Sequence, residues 1–224
     1  MERREIGPGV GRARPTLILP DRRATEPRGV VLMLHGGDVE GVEARSTFDP
    51  SPLPVRVAAA GIARRRPDLA VVRLLNAVGG WNDRVMSPVA DARWALMRIG
   101  QLYPDLPVAV VGHSMGGRTA FELVDEPDVR AVIGLAPWLA DGYDEKRFLG
   151  TPVMVVHGRL DNLTDPDASA DLVRRIRISG GSATYRSVGD WHTLMFRPAG
   201  WHREVASYLH HYLVGDGGDQ PRNA

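Results

Sequence analysis

The sequence predicts an α/β fold with a mainly parallel central sheet and helices on both faces, and three observations carry that prediction. Short apolar runs recur along the chain, at Val30–Leu34, Ala70–Leu74, Val108–Val111, Ala131–Leu135, Val153–Val156 and Ala183–Val188. Strands buried on both faces of a parallel sheet require runs of this kind. Longer segments with helical spacing separate them. Strand and helix signals alternate throughout, which is the pattern of repeated βαβ units.

Taken in order, residues 1–15 are rich in arginine, glycine and proline and are expected to form a flexible arm before a single domain spanning 16–214. Thr16–Leu19 reads as one early strand. Helices are expected at about 52–65, 115–125 and 167–178. The clearest helical signal starts at Ser87-Pro88, a capping serine followed by proline at the first helical position. Its Val89, Ala92, Leu96, Ile99 and Tyr103 recur at steps of 3, 4, 3 and 4, which marks one buried face. Trp201, Val205, Tyr208 and Tyr212 repeat that spacing in a last helix. Residues 215–224 are Gly, Asp, Gln, Pro, Arg, Asn and Ala, too polar to offset their ordering entropy by burial, and are expected to be disordered.

Composition narrows the function. At 224 residues, 43% hydrophobic and 25% charged, the chain fits one soluble globular domain. Its net charge of +1 lacks the basic excess that counterion release from nucleic acid exploits, so nucleic acid is not expected as a partner. The absence of cysteine removes thiol nucleophiles, disulfides and thiolate metal sites together. No apolar segment near Met1 resembles a secretory leader and none reaches the length of a membrane span, so a cytoplasmic protein without membrane contact is expected.

One motif carries chemistry. Gly112-His113-Ser114-Met115-Gly116 follows a strand signal and opens a helical one, which is the context a G-x-S-x-G nucleophile elbow needs. The strand-to-helix turn is so tight that side chains at Gly112 or Gly116 would collide with their neighbours, while Ser114 is strained and exposed. A serine hydroxyl needs a base, and in elbows of this type the order along the chain is serine, acid, histidine. His192, in the loop after Ala183–Val188, meets that order; His35, His113 and His157 do not. Asp161, in the loop after Val153–Val156, is placed to orient the base. Asp165 and Asp167 are assigned turn and N-cap duty instead. Backbone N–H groups of Met115 and of Gly37, in the loop after Val30–Leu34, are the expected oxyanion donors. Trp81 and Trp138 are candidate walls of a substrate pocket. No metal-ligating pattern, phosphate loop or dinucleotide fingerprint occurs, so neither a metal nor another cofactor is expected.

Together, His35-Gly36-Gly37, the Gly112–Gly117 segment, His157-Gly158-x-x-Asp161 and Asp190-Trp191-His192 resemble the α/β-hydrolase family over residues 16–214. The nearest likeness is to its small, lidless, esterase-like or dienelactone-hydrolase-like members. The resemblance implies an α/β-hydrolase fold with a minimal cap and cofactor-free hydrolysis of a small ester or related acyl compound through an acyl-enzyme. A ligand-binding protein on the same fold and an acyltransferase are the alternatives. Two departures stand out: serine occupies the place of the dienelactone hydrolases' cysteine, and Asp38 interrupts the His-Gly-Gly-Gly motif of one lipase and esterase branch.

Overall fold

The computed structural model describes residues 3–9, 13–20, 26–44, 50–139 and 142–215. The strands are β1 (Arg4–Ile6), β2 (Thr16–Ile18), β3 (Val30–Leu34), β4 (Ala70–Leu75), β5 (Val108–His113), β6 (Val129–Leu135), β7 (Val153–Gly158) and β8 (Ala183–Val188). The helices are α1 (Leu53–Arg65), α2 (Ser87–Leu102), α3 (Met115–Phe121), α4 (Pro166–Ile178) and α5 (Pro198–Leu213). The strands form one sheet in the order β1-β2-β4-β3-β5-β6-β7-β8. β3 to β8 run parallel, and β1 and β2 join antiparallel at one edge.

Alternation along each strand divides the core in two. Val31, Met33, Ala109, Val111, Ala131 and Ile133 point to one face, where Ala58 and Ile62 of α1 and Trp201, Val205 and Leu209 of α5 cover them. Val30, Leu32, Leu34, Val108, Val110 and Val132 point to the other, under Val89, Ala92 and Ile99 of α2, Phe121 of α3 and Leu172 and Ile176 of α4. A sheet covered on both sides must be apolar at consecutive positions, which is why these strands read as unbroken runs.

The order of the central strands locates a site. The chain passes from β3 to β4 on one side, and α2 then carries it back across to β5 on the other. Such a reversal opens a crevice at the C-terminal ends of the two middle strands, here β3 and β5, where Leu34 pairs with Gly112. The loops after β3, β4, β6, β7 and β8 reach the same edge.

Three sequence expectations need correction. The arm was expected to be loose, yet Arg4–Ile6 adds a strand to the sheet edge, and Glu5 anchors it by pairing with Arg3 and with Arg98 of α2. Ser87 does not cap α2. Met86, at φ 45°, takes the N-cap position, and the Ser87 hydroxyl receives a hydrogen bond from Asn82 Nδ2 at 3.2 Å. The helix after the elbow ends at Phe121 and continues as turns, so it is shorter than 115–125. The disorder expected of 216–224 lies outside the described residues. Among the described residues, no helix is long and apolar enough to cross a membrane.

The connection from Ala136 to Pro152 contains only a short 3-10 turn, Glu145–Phe148, in its described part. Tyr143 and Phe148 turn down onto Phe121, with edge-to-face ring contacts at centroid distances of 6.1 and 5.7 Å. The segment thus packs into the core and builds no multi-helix cap.

Candidate active site

Ser114 occupies the turn between β5 and α3 with φ 55° and ψ −118°, a conformation that costs a non-glycine residue of order 1–3 kcal/mol. Its surroundings hold it there. The Ser114 N–H donates to Leu135 O at 3.0 Å, and its carbonyl accepts the N–H groups of Gly117 and Trp138 at 2.9 and 3.0 Å. The flanking glycines are sterically required. A Cβ on Gly112 would lie 1.9 Å from Gly116 O, and one on Gly116 would lie 2.4 Å from Leu34 O.

The loop after β3 carries a less obvious device. His35 is buried, and its Nε2 accepts the Asn76 N–H at 3.1 Å, so the ring proton sits on Nδ1 and is donated to Gly36 O at 2.5 Å. In a trans peptide the C=O and N–H point in opposite directions, so this bond fixes the direction of the Gly37 N–H. Neither that N–H nor the one of Met115 finds an acceptor among the described residues. A side chain at position 37 would strike Gly79 O at 2.4 Å and Met115 Cε at 2.5 Å.

Asp161 sits in the turn after β7 with its side chain fully buried. Oδ1 accepts the N–H groups of Leu163 and Thr164 at 2.8 and 3.0 Å. Oδ2 accepts the Thr164 hydroxyl and His192 Nδ1–H, each at 2.8 Å. His157 Nε2 lies 3.1 Å from the same oxygen, and its Nδ1 bonds the Ser169 hydroxyl at 2.9 Å. Burial pushes the Asp161 carboxyl up, but the Thr164 and Leu163 N–H groups, the His192 ring and the Thr164 hydroxyl outweigh it and bring the pKa down to about 2. Burial also pushes His157 below the ordinary histidine range, against the pull of Asp161.

The bond to Asp161 places the His192 proton on Nδ1 and leaves Nε2 with its lone pair. The loop carrying His192 is shaped by Asp190, 1% exposed, whose Oδ1 accepts the Trp191 N–H at 2.8 Å. Its Oδ2 accepts those of Phe196 and Arg197 at 3.0 and 3.1 Å. His113 closes the assembly by bonding the His192 carbonyl through Nε2 at 2.9 Å, with ring centroids 4.9 Å apart. Burial first, and then the closeness of the second imidazole, that of His192, lower the His113 pKa to about 4. Ser114 and His192 are not hydrogen-bonded to each other in this arrangement; His113 links their two loops.

Trp81 is buried in the loop after β4 and meets the half-buried Trp138 edge to face, with centroids 6.2 Å apart. The Arg118 guanidinium lies 4.2 Å from the first ring and 4.3 Å from the second. The Trp81 loop also braces the one holding Gly37, since Asp38 N–H donates to Gly79 O and Trp81 N–H to Asp38 O. Asp165 caps α4 by accepting the Asp167 and Ala168 N–H groups, which keeps its carboxylate off His192.

The sequence reading singled out neither His35, Thr164 and Asp190 as organisers of the loops nor Arg118 as a neighbour of both tryptophans. Asp190 alone left a signal, as an Asp two residues before His192 in a short loop that needs an Asx-type turn. Among the described residues, no cluster of three or more His, Asp or Glu could hold a metal ion.

A strained serine, an acid–imidazole pair and two free backbone donors on one sheet edge are the parts from which acyl-transfer sites are assembled. Residues 79–150, about a third of the chain, match the family model described as serine aminopeptidase, S33. No curated protein matches the chain by sequence. Among solved structures it is similar to a protein of unknown function from Agrobacterium tumefaciens, at 20% identity and TM-score 0.73, covering 99% of this chain and 100% of that one. It is also similar to an alpha-beta serine hydrolase homologue from Coxiella burnetii, at 15% identity and TM-score 0.70, covering 93% and 97%. A third is esterase 2 of Thermogutta terrifontis, phosphorylated by paraoxon, at 16% identity and TM-score 0.67, covering 99% and 96%. With the eight-stranded sheet and its elbow, these likenesses show that the chain has the α/β-hydrolase fold.

Proposed function

We propose that the protein is a serine hydrolase acting on carboxyl esters or related small acyl compounds. The observation that carries this reading is the 2.8 Å bond from His192 Nδ1 to a buried Asp161 held ionised at neutral pH. It fixes the tautomer a general base needs and would stabilise the imidazolium formed when the base is charged.

In this reading Ser114 Oγ attacks the substrate carbonyl while His192 Nε2 takes the hydroxyl proton. The N–H groups of Gly37 and Met115 receive the developing oxyanion, with His35 keeping the Gly37 peptide turned toward it. The imidazolium then protonates the leaving alcohol, which leaves an acyl group on Ser114. Water repeats the sequence and releases the acid. Trp81 and Trp138 wall the pocket.

An organophosphate phosphorylates the Thermogutta esterase that shares this fold, which suggests the test. A fluorophosphonate probe should label the wild-type protein once per chain, at Ser114 by peptide mass. Ser114→Ala should abolish labelling and His192→Ala should slow it by orders of magnitude. Label surviving in Ser114→Ala would sink the assignment, and an unreactive wild-type protein would favour a ligand-binding role.

A further inference from the structure

Arg118 stands one helical turn beyond Ser114 in α3. Side chains of a helix lean toward its N-terminus, so Arg118 is directed back toward the sheet edge where Ser114 sits. Its guanidinium is held between two walls, 4.2 Å from Trp81 and 4.3 Å from Trp138. Those walls belong to the site. The Trp138 N–H is bonded to the Ser114 carbonyl, and the Trp81 loop is bonded to the loop of Gly37.

Among the described residues no carboxylate lies within ion-pair distance of Arg118, and its Nε is buried with no hydrogen-bond partner. Glu122, one turn further along the chain, bonds Arg147 instead at 3.0 Å, and Asp125 does the same at 3.1 Å. Arg118 is half-buried, and burying part of a guanidinium without a counter-charge has a cost that the faces of two indoles offset only in part. The two indoles, 77° apart in plane, confine the guanidinium from two sides, so its position is restricted before any ligand arrives. A planar fork of N–H donors matches a carboxylate in charge and in shape.

We infer that Arg118 is a specificity-determining residue that binds a carboxylate on the substrate, so that the preferred compounds are anionic esters, such as half-esters of dicarboxylic acids, over neutral esters of the same length. This rests on the hydrolase reading above.

Two matched ester pairs test it. p-Nitrophenyl hemiglutarate and p-nitrophenyl valerate differ in a carboxylate against a methyl at the end of the acyl chain. 4-Acetoxybutyrate and butyl acetate place a carboxylate on the alcohol side only. The anionic member of at least one pair should have the higher kcat/KM, and Arg118→Met should reduce that ratio about tenfold or more. A merely structural role would lower both rates together and leave the ratio in place. Arg118→Lys keeps the charge without the fork and should give an intermediate ratio; it also serves if the Met variant does not fold. No anionic preference in either pair, or a preference unchanged in Arg118→Met and Arg118→Lys, overturns the inference.

Intrinsic tryptophan fluorescence under titration with glutarate separates this failure from that of the hydrolase reading. If all four esters are inert, a saturable change in the wild-type protein that is lost in Arg118→Met upholds the carboxylate site while the hydrolase reading falls. With inert esters and no saturable change, both fall.

Discussion

Asp161 is committed to its neighbours on both oxygens. The two backbone N–H groups on Oδ1 fix the carboxylate plane, so Oδ2 meets His192 in one orientation. Asp161→Asn should preserve the fold, because the amide oxygen can still accept from Leu163 and Thr164. Its NH2 would then face His192 and impose the other tautomer, so kcat on an ester substrate should drop by about 10⁴. Asp165→Asn should change kcat little, since asparagine caps a helix about as well as aspartate. The reverse outcome would make Asp165 the orienting acid. At this scale the sequence was legible wherever chemistry dictates residue type and chain order, as with Ser114, Asp161 and His192. It was silent where a side chain serves a turn. Thr164 is one of many threonines until the turn after β7 brings its hydroxyl 2.8 Å from Asp161. Arg118 is one arginine in a chain rich in them until loops 81 and 138 close on it.

Two buried histidines join elements, and both are neutral in the fold. His113 ties the end of β5 to the His192 loop, and His202 of α5 packs so closely on α1 that a Cβ on Gly61 would lie 2.1 Å from its Nδ1. Burial chiefly, and then Arg65 and Arg64, lower the His202 pKa to about 4. An unfolded histidine titrates near 6.5, so between about pH 6.5 and 4 the unfolded chain binds more protons than the folded one. Stability is therefore fully present above pH 6.5 and falls as pH is lowered through that window, by roughly 3 kcal/mol for each ring. The urea midpoint should drop markedly from pH 7 to pH 4.5, with a shallower slope in His113→Asn and in His202→Asn; a flat wild-type profile would count against both joints. Asp161 adds to the loss only below its unfolded value of 3.8. The strands were legible as elements because a doubly covered sheet leaves unbroken apolar runs. β1 was not, because Arg-Glu-Ile has no strand signature and its place depends on the pairing of Glu5 with Arg98, 93 residues away. The cap of α2 was misassigned because Asn82 claims the Ser87 hydroxyl.

On the scale of the whole molecule, the cover that the described loops give to Ser114 bears on which substrates would fit. Tyr143 and Phe148 of the connection after β6 are spent on the core while Trp138 stays half-buried, so among the described residues this connection builds no roof for a long acyl chain over Ser114. Apolar side chains do reach the surface at this edge. Leu160 and Leu163 after β7, and Trp191 and Phe196 after β8, are 49%, 74%, 55% and 70% exposed. The sequence showed no extra amphipathic segment and gave no sign of this rim, because its members come from loops far apart in the chain. Four exposed side chains give a short acyl chain a surface to lie on, but they do not bury a long one. In a p-nitrophenyl ester series kcat/KM should peak at short acyl chains and decline toward palmitate, without a jump as the substrate becomes micellar. A steady rise to palmitate with such a jump would identify a lipase instead.

The described loops that meet at Ser114 all leave the C-terminal ends of the parallel strands. That one-sidedness gives the molecule a handle. The Gly180-Gly181 turn between α4 and β8 lies on the far edge, and a Cβ at Gly180 would touch nothing. The six residues of β8 place this turn about 20 Å from the loop of His192. A dye, an affinity peptide or a surface tether inserted there would face away from the mouth of the candidate site, and the immobilised protein would keep that mouth open to solution.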